Sequence, residues 1–148
     1  MSMTEVFRSL GREDALRLRK EASSLNGTQI IDREHSVPAF DPQKDYSAWP
    51  VGSPVMDEGQ VWLLIQPHNA SHYAGRPSTL RALWGLAHTT NPAKAKPWVD
   101  PYGTSGMYML GECYADEDGV VWRCKQDNTV YDATAWFDGW EMTDKGSE

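Results

Sequence analysis

Gly59-Gln60-Val61-Trp62-Leu63-Leu64-Ile65-Gln66 recurs later in the chain as Gly119-Val120-Val121-Trp122-Arg123-Cys124-Lys125-Gln126, with glycine, valine, tryptophan and glutamine in register. Upstream, Trp49-Pro50-Val51-Gly52 is echoed by Tyr108-Met109-Leu110-Gly111. Downstream, Tyr73 and Trp84 find counterparts in Tyr131 and Trp140. An internal repeat constrains architecture before single residues are read. Two copies are too few for a solenoid, so the pattern predicts two small tandem β-units.

Each copy carries a hairpin signal. Glu58-Gly59 precedes the strand-like run Val61–Ile65, and Asp118-Gly119 precedes Val121–Cys124. Asp-Gly is the preferred pair for a two-residue type I′ turn. Such a turn sets Ala115 opposite Trp122 and Cys113 opposite Cys124. A disulfide is then within reach, although directly opposed strand neighbours strain it. With no export pattern at the N-terminus, two reduced and buried thiols are the favoured reading. Alternation puts Trp122 and Cys124 on one face and Val121 and Arg123 on the other, with the tryptophan face toward the core.

Ahead of the repeats, residues 4–25 read as helix. Ala15, Leu18, Ala22 and Leu25 form a one-sided stripe, and Gly11 is expected to separate a short first turn (Val6, Phe7, Leu10) from a better helix. Asn26-Gly27 reads as the helix stop. The stripe is too short for a stable isolated coiled coil. It can pack on its own chain, dock on a partner, or form a small homo-oligomer through residues 4–25. The division is therefore 1–27 helix, 28–48 irregular connector, 49–90 first β-module, 91–106 Pro/Gly-rich linker, and 107–144 second β-module. The fold class is mainly β with an N-terminal α-helix and two small three-stranded antiparallel modules.

Composition narrows the partners. The 148 residues carry a formal net charge of -7. That disfavours nucleic acid, whose phosphates need clustered Lys and Arg. It equally disfavours an anionic membrane surface, and no apolar run is long enough to insert into a bilayer. Seven Trp and six Tyr against three Phe favour half-wet surfaces, because these rings pair an apolar face with a polar edge. Thin cores of small β-domains use the same residues.

The order aromatic, two residues, Gly, strand, Gly turn, Val-Trp-x-x-x-Gln and a closing Trp resembles the small chitin-binding-type carbohydrate-binding modules of families 5 and 12. In particular it is similar to the degenerate versions in phage and prophage tail-associated proteins. Tyr108 through Trp140 is the closer match, and Trp49 through Trp84 carries an insertion. The front end, Leu25-Asn26-Gly27-Thr28-Gln29-Ile30-Ile31 followed by Val37-Pro38, is also similar to those proteins. The family places an aromatic pair just after the central strand. Here those positions hold Pro67-His68-Asn69 and Asp127-Asn128-Thr129. Sugar stacking is therefore expected from Tyr131, Trp136 and Tyr73, with Gln126, Asn128, Gln66 and Asn69 bonding hydroxyls. The resemblance implies a non-catalytic glycan-binding protein of a virion tail, made in the bacterial cytoplasm, with a cell-surface polysaccharide and tail proteins as partners. The alternative is a structural adaptor of the tail fibre or baseplate that binds no sugar.

Other constellations give no chemistry. His68 and His72 flank a loop without the glutamate of a zincin motif, and His35 and His88 have no identifiable partner. Asp116-Glu117-Asp118-Gly119 lacks the twelve-residue calcium loop and reads as a turn. No phosphate loop or nucleophile elbow is present. No cofactor, metal or catalytic activity is expected.

Overall fold

Two small β-sheets follow an N-terminal helical segment in the computed structural model, which describes the backbone of residues 3–143 and side chains from residue 11. Helix α1 spans Met3–Glu21 and α2 spans Gly27–Asp32. The first sheet is antiparallel, order β1-β2-β3: Pro54–Asp57, Gln60–Leu64 and Trp84–Leu86. The second is four-stranded and mixed, order β4-β5-β6-β7: Lys96–Pro97, Cys113–Ala115, Val121–Cys124 and Trp140–Met142. In it β4 runs parallel to β5, so this sheet is not the purely antiparallel triplet expected.

The helical segment departs from expectation at both ends. Helix α1 runs through Gly11 without a break, since one exposed glycine costs a helix only about 1 kcal/mol. Asn26-Gly27 starts a helix rather than stopping one. The Asn26 side chain accepts from Gln29 N–H, and Gln29 Oε1 accepts from Asn26 N–H, a reciprocal capping box. Ile30 and Ile31 are fully buried in α2.

The stripe on α1 packs on its own chain. Leu18 and Ala22 are buried, and the Arg19 guanidinium lies 3.5 Å from the Trp49 ring centroid. Val6, Phe7 and Leu10 fall outside the described side chains. Ala22, Ile30, Ile31, Val61 and Ala87 form one cluster, joined by Leu25, Met56 and Leu63. The opposite face of the same sheet carries Val55, Trp62, Leu64, Trp84 and Tyr46. Strand β2 is thus covered on both sides, which explains its unbroken apolar run. Full burial of each isoleucine contributes about 2 kcal/mol.

The repeat is structural as well as sequential, and it starts earlier than the sequence suggests. Gly52 N–H donates to Leu64 O and Leu64 N–H to Ser53 O; Gly111 N–H donates to Cys124 O and Cys124 N–H to Glu112 O. Tyr46 N–H donates to His68 O as Tyr108 N–H does to Thr129 O. Tyr46 meets Trp84 edge-on at 5.2 Å, and Tyr108 meets Trp140 at 5.4 Å. The counterpart of Tyr108 is therefore Tyr46, not Trp49. Further upstream, Ala39 bridges Met56 in parallel as Pro97 pairs with Ala115. Phe40 then stacks on Tyr46 as Trp98 stacks on Tyr108. Parts of the expected connector and linker thus supply the outer edge and one core ring of each unit.

The first hairpin turns as expected and the second does not. Asp57 pairs with Gln60, so Glu58 (φ 54°) and Gly59 (φ 75°) form a two-residue loop with both residues left-handed, as type I′ requires. In the second hairpin Gly119 N–H donates to Asp116 O and Asp116 N–H to Val120 O. Gly119 is left-handed at φ 81°. This is a three-residue loop, a turn closed by a glycine bulge. The Asp116 carboxylate selects it by accepting from the N–H groups of Asp118 and Val120. The register shifts by one residue, so Cys113 faces Arg123 rather than Cys124. Both cysteines are free and buried, on opposite faces of the sheet. Cys124 shares its face with Tyr114, Trp122 and Trp140, the expected core side.

A ring stack joins the units. Tyr108 lies between His88, at 3.7 Å and 22°, and Trp98, at 4.7 Å and 12°. His88 Nε2–H donates to Gly106 O at 2.9 Å. Burial pushes the His88 pKa down to about 4, with the nearby Arg81 charge adding to the effect against the Gly106 bond.

Candidate functional site: the second β-unit surface

The loop after β6 presents Gln126, Asn128 and Tyr131 to solvent, and Tyr131 is 60% exposed. The backbone beneath them is held at many points. Thr129 is buried, and its hydroxyl donates to Gln126 O at 2.6 Å. Asn128 takes a left-handed φ of 61°, which asparagine tolerates better than most residues. Asp127 Oδ1 accepts from Leu110 N–H, and Trp140 Nε1–H donates to Tyr131 O at 2.8 Å. A ring and two amides therefore sit on a fixed backbone, which lowers the ordering cost of binding. Val130, Leu110 and Met109 are exposed nearby in sequence and pairing.

Trp136 belongs less to this surface than the sequence suggests. It is half-buried, and a Cβ on Gly139 would collide with its ring, so the indole packs against its own turn. Gln66, Asn69 and Tyr73 lie apart, on the first unit. Gln66 and Tyr73 are exposed, while the Asn69 carboxamide oxygen is occupied by Ser71 N–H and hydroxyl. His68 is buried beside Tyr46, Tyr73 and Trp84. Its ring is core filling, and His72 is exposed. Among the described residues, no group of three His, Cys, Asp or Glu side chains is placed to hold a metal ion.

Sequence reasoning missed a second feature of the same unit. An open groove of roughly 630 Å³ is lined by Trp98, Tyr114, Asp116, Glu117, Asp132 and Thr134, among others. Trp98 Nε1–H donates to Asp100 at 2.7 Å, and Tyr114 Oη accepts from Ala133 N–H. The Trp122 indole donates to Asp116 Oδ2 at 2.9 Å and, with the backbone donors, holds that carboxyl below its usual range. None of the expected sugar-contacting side chains lines this groove. Trp98 was hidden in what reads as linker; the parallel between Phe40-Asp41-Pro42 and Trp98-Val99-Asp100-Pro101 was the available signal.

No tryptophan is freely exposed among the described residues: Trp62, Trp84 and Trp140 are buried, and the other four are half-buried. Comparison with known protein families and with curated proteins finds no match to this chain.

Proposed function

We propose that this is a non-catalytic glycan-binding protein of a phage or prophage tail, with the recognition surface on the second β-module. The observation that carries the reading is the fixed loop on which Tyr131, Gln126 and Asn128 are all exposed. A tyrosine ring supplies the apolar face that a pyranose needs, and side-chain amides orient its hydroxyls. The bipartite layout fits the sequence expectation of two small tandem modules, of which the second is nearer the carbohydrate-binding pattern. Affinity per site is expected to be weak and to rise with multivalent presentation. The helical segment is a candidate for that assembly through its exposed side, where Leu16 is 49% exposed.

One observation favours the adaptor reading, in which the chain joins tail proteins and binds no sugar. The tryptophans contribute chiefly to cores and unit contacts, and none of them is freely exposed. A glycan array probed with the wild-type protein, Tyr131→Ala and Tyr73→Ala separates the two. Selective binding lost in Tyr131→Ala and kept in Tyr73→Ala supports glycan recognition on the second module. A blank array for all three proteins favours the adaptor.

A further inference from the structure

The two units treat the acidic residues at their hairpin turns differently. In the first, Arg76 Nε lies 3.2 Å from Asp57 Oδ2 and 3.5 Å from Glu58 Oε1, and Ser78 Oγ donates to Glu58 at 2.9 Å. Asp57 is the repeat counterpart of Asp116: Asp57 pairs with Gln60, and Asp116 N–H donates to Val120 O. The indole of the following strand reaches back to this residue in both units, Trp62 to Asp57 O and Trp122 to Asp116 Oδ2. Arg76 comes from an insertion: the stretch from His68 to Trp84 is longer than its counterpart from Thr129 to Trp140.

The second unit lacks that insertion, and its groove stays open. Asp116, Glu117, Asp118 and Asp132 line it with Trp98 and Tyr114. None of the four carboxylates has a basic partner within ion-pair distance among the described residues. Two independent observations therefore coincide. One is a cavity with acidic and aromatic walls. The other is the counterpart turn of the first unit, whose carboxylates already hold a guanidinium.

We infer that the groove of the second unit is a socket for an arginine side chain presented by a partner polypeptide, which takes the place that Arg76 fills in the first unit. Arginine suits it better than lysine. Its planar fork can bond two carboxylate oxygens at once and can lie against an aromatic face, whereas an ammonium is a compact, strongly hydrated point charge. The inference does not rest on the glycan reading, since the residues involved are different. It names a second surface by which the protein can be attached to another chain.

The test is a fluorescence-anisotropy titration of labelled hexaarginine and hexalysine peptides at physiological salt. The groove variant is Glu117→Gln/Asp118→Asn, because these two side chains make no turn-holding hydrogen bond in the structure. The control is Asp138→Asn/Glu141→Gln, which removes the same charge outside the groove. Hexaarginine is expected to bind the wild type and the control alike, to bind the groove variant roughly tenfold more weakly, and to exceed hexalysine. Equal loss in both variants would mean general charge attraction and would overturn the socket. Equal binding of the two peptides, or no hexaarginine binding at all, would overturn it as well. Circular dichroism of both variants confirms that losses are not unfolding.

Discussion

Acidification should loosen the junction between the units through one residue, His88. Its ring is stacked on Tyr108 and its Nε2–H is spent on Gly106 O, so protonation places a charge in a buried site. The folded pKa is pushed down to about 4 from an ordinary 6.5. A depressed value means that the unfolded chain takes up the proton first. The contribution is fully present above about pH 6.5, is lost progressively as pH falls, and levels off below about pH 4. At about pH 5 the loss relative to pH 8 is about 2 kcal/mol, from a shift worth about 1.4 kcal/mol per pKa unit. Urea unfolding of the wild type and His88→Phe near pH 8 and pH 5 measures it. Phenylalanine keeps a ring on Tyr108 and does not titrate, but it forfeits the bond to Gly106, which costs about 1 kcal/mol at every pH. Burial raises the carboxyl pKa values of Asp57 and Glu112. Both groups are present in both proteins, so their pH dependence cancels in the difference. The gap between the variants should therefore narrow or reverse on acidification. Parallel pH dependences would refute the buried, neutral His88 and the stack built on it.

Other consequences follow from packing. A Cβ at Gly27 would collide with the His88 carbonyl, whereas one at Gly11 meets nothing. Gly27→Ala should lower stability by about 1–3 kcal/mol and Gly11→Ala should raise it by up to about 1 kcal/mol, both read by thermal melting. Both thiols should be reduced and shielded: alkylation followed by mass measurement should give two adducts in denaturant and almost none in the native protein. Detection of an intact Cys113–Cys124 disulfide would contradict the hairpin register. Leu18→Glu should unfold or markedly destabilise a single chain, because Leu18 is fully buried against it. A Leu18→Glu protein with unchanged melting would refute the docking of α1.

The fold was readable where period and turn chemistry acted locally, and less so where one side chain decided between near-equal turns. The repeated Gly-x-Val-Trp strand placed both central strands and both closing tryptophans. Asp118-Gly119 marked the second turn, but the loop length was decided by Asp116, whose carboxylate gathers two N–H groups. One added loop residue reversed which side chains face each other, because strand side chains alternate. The contrast of Leu63 with Arg123 carried more than was drawn from it. An apolar residue at this position belongs to the sheet that the helices cover, and a charged one to the sheet they do not. Edge strands were illegible because Ala39 and Lys96–Pro97 are short, Pro-flanked and held by only a few backbone bonds. Asn26 shows the same ambiguity, since asparagine before glycine suits a helix end or a cap, and Gln29 decides for the cap.

For the site, exposure was the missing quantity. Tyr131, Gln126 and Asn128 emerge on one loop, whereas Trp136 turns inward and Asn69 satisfies its own backbone. The groove could not be inferred at all, because it needs Trp98 from before the second hairpin, Asp116 from within it and Asp132 from after it.

The most direct measurement is a set of backbone amide shift maps of the labelled protein, recorded against a panel of cell-surface polysaccharide fragments. The account predicts that a binding fragment perturbs residues 126–131 first, saturably and without change in the 66–73 loop. Perturbation centred on the first unit, or silence across the whole panel, would contradict glycan recognition by the second module.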